Sequence, residues 1–144
     1  MYRALSVARY IIERCHSQNR SISNLKLQKI LYFVQAEFLV SRGQPCFVEQ
    51  IEAWDFGPVV PEVYQQYKIF GSSNIPVFGR LVNPVVIRND DQELINEIVD
   101  ECARYSASAL VDITHHQSPW LDAYVPGYNN VISQNSIRDY FAEG

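Results

Sequence analysis

The sequence predicts a mainly α (α+β) fold: a compact bundle of six or seven helices around a buried central helix, with a small β-hairpin or two-stranded element. Three observations carry this expectation. Apolar residues recur at helical spacing over most of the chain. The segment from Leu25 to about Ser41 is apolar around most of its circumference, as a helix enclosed on most sides must be. Only the stretch from Pro45 to Phe56, with Val85-Val86-Ile87 as a strand to pair with it, departs from that pattern toward β structure.

Each element has its own signature. Residues 3–16 carry Ala4, Leu5, Ala8, Ile11, Ile12 and Cys15 on one stripe, with Arg9, Glu13 and Arg14 largely outside it. Ser23 is a good N-cap for the central helix, because its hydroxyl accepts a bond from an unpaired backbone N–H, worth about 1 kcal/mol. Ile22 and Leu27 flank it as a hydrophobic staple, and Gly43 supplies a left-handed stop. Phe47, Ile51, Ala53 and Trp54, set among Glu49, Gln50, Glu52 and Asp55, predict a short strand with imperfect alternation. Gly57-Pro58-Val59-Val60-Pro61 reads as a rigid turn. It leads into a helix with Pro61 in its first turn, Val63, Tyr67 and Phe70 on one face, and Gly71 at its end. Residues 72–90 read as an irregular excursion. Asp90 and Glu93 then have capping-box spacing, and the helix they open buries Leu94, Ile95, Ile98, Val99 and Cys102. Its outer face carries Glu93, Glu97, Asp100 and Glu101. Ser106 or Ser108 caps a helix with Leu110, Val111 and Ile113. Ser118-Pro119 opens a short one with Trp120, Leu121 and Tyr124, ended by Pro126-Gly127. Ile132, Ser133 and Ile137 repeat the staple and cap before a final helix bearing Tyr140 and Phe141.

Length and composition narrow the function classes. A chain of 144 residues suits one domain spanning 1–144. Its 47% hydrophobic and 19% charged residues exclude a disordered or fibrous chain. No apolar run approaches the roughly 20 residues needed to cross a bilayer, so no membrane partner is expected. Arg3 and Arg9 bracket a short amphipathic start without an apolar signal-peptide core. Cys15, Cys46 and Cys102 form no CxxC pair and cannot all be bridged, which points to the reducing cytoplasm. The net charge of −4 argues against non-specific nucleic-acid binding. That charge is uneven: seven basic and two acidic residues precede position 43, and five basic and fourteen acidic residues follow. Either oppositely charged elements pack side by side, or the halves form a two-faced surface that steers a charged protein partner.

Motifs for catalysis are missing. The sequence has no GxxxxGK[ST] phosphate loop, no GxGxxG fingerprint and no HExxH. Adjacent His115 and His116 sit about 100° apart on a helix, a poor arrangement for one metal. His16 lies far from them in sequence, and Cys15 occupies an apolar stripe as an inert core thiol. Nothing distinguishes an acid–base pair among the 16 carboxylates. The expectation is a protein that is not an enzyme, with no catalytic residue, no metal site and no cofactor.

Two local features conflict with simple rules. Lys26 and Lys29 stand in the first two turns of the central helix, where the macrodipole disfavours cations. Either a neighbouring Glu or Asp neutralises them, or they present positive charge to a partner. Thr114-His115 and Pro119-Trp120 concentrate a hydroxyl, an imidazole and an indole at one helix–helix corner. They serve either to satisfy helix ends and fill the corner, or to bind. Aromatic residues are 12% of the chain with nine tyrosines, more than a small core readily consumes, and a surface rich in Tyr and Trp suits protein–protein contact.

Four stretches, in this order, resemble the Panacea domain, the SocA-like and phage-associated GepA-like antitoxin family. They are Asn24-Leu25-Lys26-Leu27-Gln28-Lys29-Ile30-Leu31-Tyr32-Phe33, the run from Ile51 through Trp54, Gly57 and Pro58 to Tyr64, then Leu110 to His115, and Pro119-Trp120. The first two together are specific; Thr-His or Pro-Trp alone would carry little weight. The resemblance covers about residues 4–141. It implies a largely helical domain, encoded beside a toxin in bacteria or prophages, that neutralises that cognate toxin by direct contact. Family members pair with unrelated toxins, so no particular toxin is implied, and no catalytic residues transfer. The alternatives are a proteolytic adaptor that delivers the toxin to a ClpXP-type protease, or a phage-encoded regulatory or nucleic-acid-binding protein using the basic N-terminal region. The motif positions include Gln28 and Thr114. The candidate partner-binding residues among them are Lys26, Lys29, Tyr32, Trp54, Gly57, Pro58, His115, Pro119 and Trp120.

Overall fold

The computed structural model describes residues 1–77 and 86–143. Helix α1 (Ala4–Ser17) buries the expected stripe, with Val7 added and Leu5 only partly covered. Helix α2 (Asn24–Ser41) starts where Ser23 Oγ accepts the Lys26 N–H, and the staple residues Ile22 and Leu27 are both buried. Gly43, at a φ of 69°, follows its end. The first, third, fourth, fifth and seventh helices all pack against α2, which makes it the centre of the bundle. Its enclosure extends beyond its apolar residues. Asn24, Gln28, Lys29, Tyr32 and Gln35 are buried along with Leu27, Ile30, Leu31, Val34 and Leu39.

Strand β1 (Ile51–Trp54) and strand β2 (Gly57–Val59) form an antiparallel hairpin with Trp54 opposite Gly57. Strand β3 (Val131–Ile132) pairs antiparallel with the other edge of β1, so the sheet order is β2-β1-β3. This corrects the sequence reading in two places. The turn comprises Asp55 and Phe56, while Gly57–Val59 is a strand. Gly57 has the positive φ, 105°, that lets a tight turn be followed by pairing. The proposed strand at Val85-Val86-Ile87 is not the partner of β1: Val86 and Ile87 are irregular, and Val85 lies outside the described residues.

Helix α3 (Pro61–Tyr67) continues as a short 3-10 turn to Phe70 and stops at Gly71, φ 56°. Helix α4 (Asn89–Cys102) has Arg88 at its N-cap position without a side-chain cap. Asp90 is therefore not the cap; it lies with Asp91 in the first turn, where a carboxylate meets the positive end of the macrodipole. Ser106 caps α5 (Ala107–His115) by accepting from Ala109 N–H. Helix α6 (Ser118–Ala123) has Gln117 at the N-cap, one residue earlier than expected, so Ser118 and Pro119 are helical. Ser133 caps α7 (Gln134–Ala142), with Ile132 and Ile137 buried around it.

The charge asymmetry resolves into side-by-side pairing. Arg14 and Arg20 both reach Asp100 at 2.8 Å, Arg3 reaches Glu49 at 2.7 Å, and Arg42 approaches Asp91 at 3.5 Å. Each pair joins the basic N-terminal region to the acidic remainder. Cys15, Cys46 and Cys102 are free and buried. Among the described residues, no helix is long and apolar enough to cross a membrane.

Candidate functional site

The polar residues of α2 define the site from within. At positions 24, 28 and 32 they lie a turn apart on one helix face. Gln28 Nε2 donates to Asn24 Oδ1 at 2.9 Å, and Asn24 Nδ2 donates to Tyr64 O at 3.1 Å. Gln28 Oε1 accepts the Val60 N–H at 2.9 Å. Lys29 Nζ donates to Pro58 O at 3.0 Å. Tyr32 donates its hydroxyl to Gln117 Oε1 at 2.7 Å, and burial pushes that hydroxyl far up from its ordinary pKa. These bonds fasten the end of β2 and the entry to α6 onto the central helix.

Lys29 is the least expected of them. It is completely buried, and desolvation pulls its ammonium from 10.5 down to about 7. The sequence leaves open a neighbouring carboxylate or a charge presented to a partner; the hydrogen-bond acceptor for Lys29 is the Pro58 carbonyl. The site is closed by Gly57. A Cβ there would lie 2.7 Å from Lys29 Cε and 2.8 Å from Thr114 Oγ1. Thr114 is itself buried and donates to Val111 O at 2.8 Å.

On the other side of the hairpin, the α5–α6 corner holds the turn by its main chain. Trp120 Nε1–H donates to Trp54 O at 2.8 Å, and His115 Nε2–H donates to Asp55 O at 3.0 Å. The three rings of the corner stack in sequence, His115 on Trp120 at 4.1 Å and Trp120 on Tyr124 at 4.4 Å. Tyr124 gives its hydroxyl hydrogen to Asp55 Oδ1, a bond that raises the tyrosine pKa. Trp54 donates from Nε1 to Glu52 Oε1 at 2.9 Å and packs at 5.0 Å from the Tyr64 ring.

A cavity of about 450 Å³ opens beside the hairpin. Asn24, Leu25 and Gln28 line it from α2, Trp54, Asp55 and Phe56 from the hairpin, and Tyr64 and Lys68 from the α3 side. At its rim Phe56 is 66% exposed.

Most of the candidate residues thus converge. Lys29, Trp54, Gly57, Pro58, His115 and Trp120 meet at the hairpin, and Tyr32 and the buried Pro119 set the neighbouring corner. Lys26 stands apart, on a recess shared with Cys15, Arg20 and Val99. Lys29, Tyr32, Gly57, Pro58 and Pro119 are buried, so in this structure they shape the surface from beneath. The sequence reading did not single out Asp55, Phe56, Tyr64 and Tyr124. The signal for Phe56 was an apolar residue between Asp55 and Gly57, which the assignment of the turn to Gly57–Pro61 concealed. Among the described residues, no group of three or more His, Cys, Asp or Glu side chains is placed to hold a metal ion.

The family model described as "Antitoxin SocA-like, Panacea domain" matches residues 27–121, from α2 through the hairpin into α6. The chain belongs to that family. A relative, "Antitoxin SocA" of Caulobacter vibrioides (strain NA1000 / CB15N), is 34% identical over 139 residues, which cover 88% of this chain and 73% of the relative. No solved structure gives a significant match.

Proposed function

We propose that this protein is an antitoxin that neutralises a cognate toxin by direct protein–protein binding, with no reaction of its own. Family membership carries the reading: the matched span contains the whole hairpin with His115 and Trp120, which hold its turn, and the relative bears the name of an antitoxin. The physical character of the site agrees. Its titratable and nucleophilic candidates are occupied in structural bonds, Lys29 on a carbonyl and His115 on another, while apolar surface is left outside at Phe56 and Leu25. Apolar surface of that kind contributes when a partner covers it. A stable complex requires roughly 1,200–2,000 Å² of total buried area with a few anchoring side chains.

Co-expression with the product of the adjacent reading frame tests the proposal. Relief of growth arrest together with co-purification of the two chains is the expected result; arrest that persists, with no complex recovered, would reject it. A pulse-chase of the toxin measures its fate once bound. Sequestration leaves toxin turnover unchanged, whereas accelerated decay that depends on this chain would identify an adaptor to a ClpXP-type protease.

A further inference from the structure

The geometry points to Phe56 as the anchor by which this chain grips its partner: the hairpin turn is a preformed knob that seats Phe56 in an apolar pocket rimmed by basic side chains on the toxin. This inference rests on the antitoxin reading and adds to it the contact residue and the chemistry of the partner surface.

Three observations support it. First, the turn is held before any partner arrives. The Trp54, Asp55 and Pro58 carbonyls each accept a bond from a side chain of another element, and the Val60 N–H is paired with Gln28. A loop already fixed loses little freedom on binding, which is the main cost that weakens contacts made by mobile segments. Second, the residue this scaffold presents is aromatic and outward: Phe56 is 66% exposed although the residues after it are buried. Large rigid side chains of this type dominate the energetics of protein interfaces. Third, the turn is acidic. Residues 51–60 contain Glu52 and Asp55 and no Lys or Arg. Asp55, next to Phe56 in the turn, is exposed. Lys68, at the end of α3, lines the adjoining cavity. Charge complementarity therefore selects a basic rim around the partner's pocket.

The test measures binding of the purified adjacent-gene product to Phe56→Ala, with Val40→Ala as control. Val40 is an exposed apolar residue near the far end of α2. Phe56→Ala is expected to weaken Kd by about thirtyfold or more at unchanged Tm, as an interface hot spot does. Val40→Ala is expected to bind as the parent chain does. Asp55→Asn is expected to slow association and flatten its dependence on salt. Parent-like binding by Phe56→Ala would overturn the inference and leave the antitoxin reading standing, as would equal losses from Phe56→Ala and Val40→Ala. Absence of binding by the parent chain removes the antitoxin reading, and the inference with it.

Discussion

Behind the β1–β2 hairpin, Gln28, Lys29 and Thr114 are buried, and each has a fixed partner in Val60 N, Pro58 O or Val111 O. In front of it, Phe56 has most of its ring in solvent, and Asp55 is exposed with one oxygen held by Tyr124. The same short ribbon thus has a side where any change meets packed atoms and a side where change meets water. The family motif is concentrated on the first side.

This contrast can be broken most severely at Gly57. Replacing it with valine places a side chain against Lys29 and Thr114 at a φ of 105°. We expect a loss of about 3 kcal/mol or more, read from the urea midpoint, and the contrast fails if stability is retained. The next largest effect concerns Lys29. The unfolded chain keeps the lysine proton up to about 10.5, whereas the folded chain releases it near 7. Stability should therefore rise with pH between these values, by at most about 1.4 kcal/mol per pH unit. Below pH 7 both states are protonated and the burial penalty is fully present. Lys29→Met should flatten that slope, and a slope that persists in the variant would assign it to another group. Gln28→Leu should cost about 1–3 kcal/mol, because it strands the buried Val60 N–H. Trp120→Phe, which keeps the ring but deletes the donor to Trp54 O, should cost about 1 kcal/mol by denaturation.

The smallest effect lies away from the hairpin, at Asp100. Hydrogen bonds from Arg14, and then Arg20, hold its carboxyl below the usual aspartate pKa. These side chains are 26–40% exposed, so Asp100→Asn should cost less than about 1 kcal/mol. That contribution is present above the ordinary aspartate range and disappears as pH falls through the lowered folded value. An Asp100→Asn variant less stable than Gln28→Leu would reverse the ranking of surface over interior.

Helix starts with a serine cap beside buried apolar neighbours are readable: Ser23 with Ile22 and Leu27, and Ser133 with Ile132 and Ile137, lie where the sequence places them, whereas the caps read at Asp90 and Ser118 fall instead at Arg88 and Gln117. Strand pairing was less readable, because it depends on residues far apart in the chain. Gly57–Val59 is short and contains a proline, and Val131–Ile132 is a two-residue strand whose partner is about 80 positions away. The buried lysine had no local explanation, since Pro58 O lies 29 residues further along. The corner was half legible. Thr114, His115, Pro119 and Trp120 were grouped in sequence, but their grip on Trp54 and Asp55 could not be read before the hairpin register was known. Phe56 emerged last for the same reason.

The supports of the turn act chiefly on peptide groups. Carbonyls and an N–H look alike whatever amino acid bears them, so position 56 contributes nothing to its own scaffolding. If Phe56 is the grip we propose, exchanging that one side chain would change the client while keeping an identical chassis, and saturating a single codon would do the same at the bench.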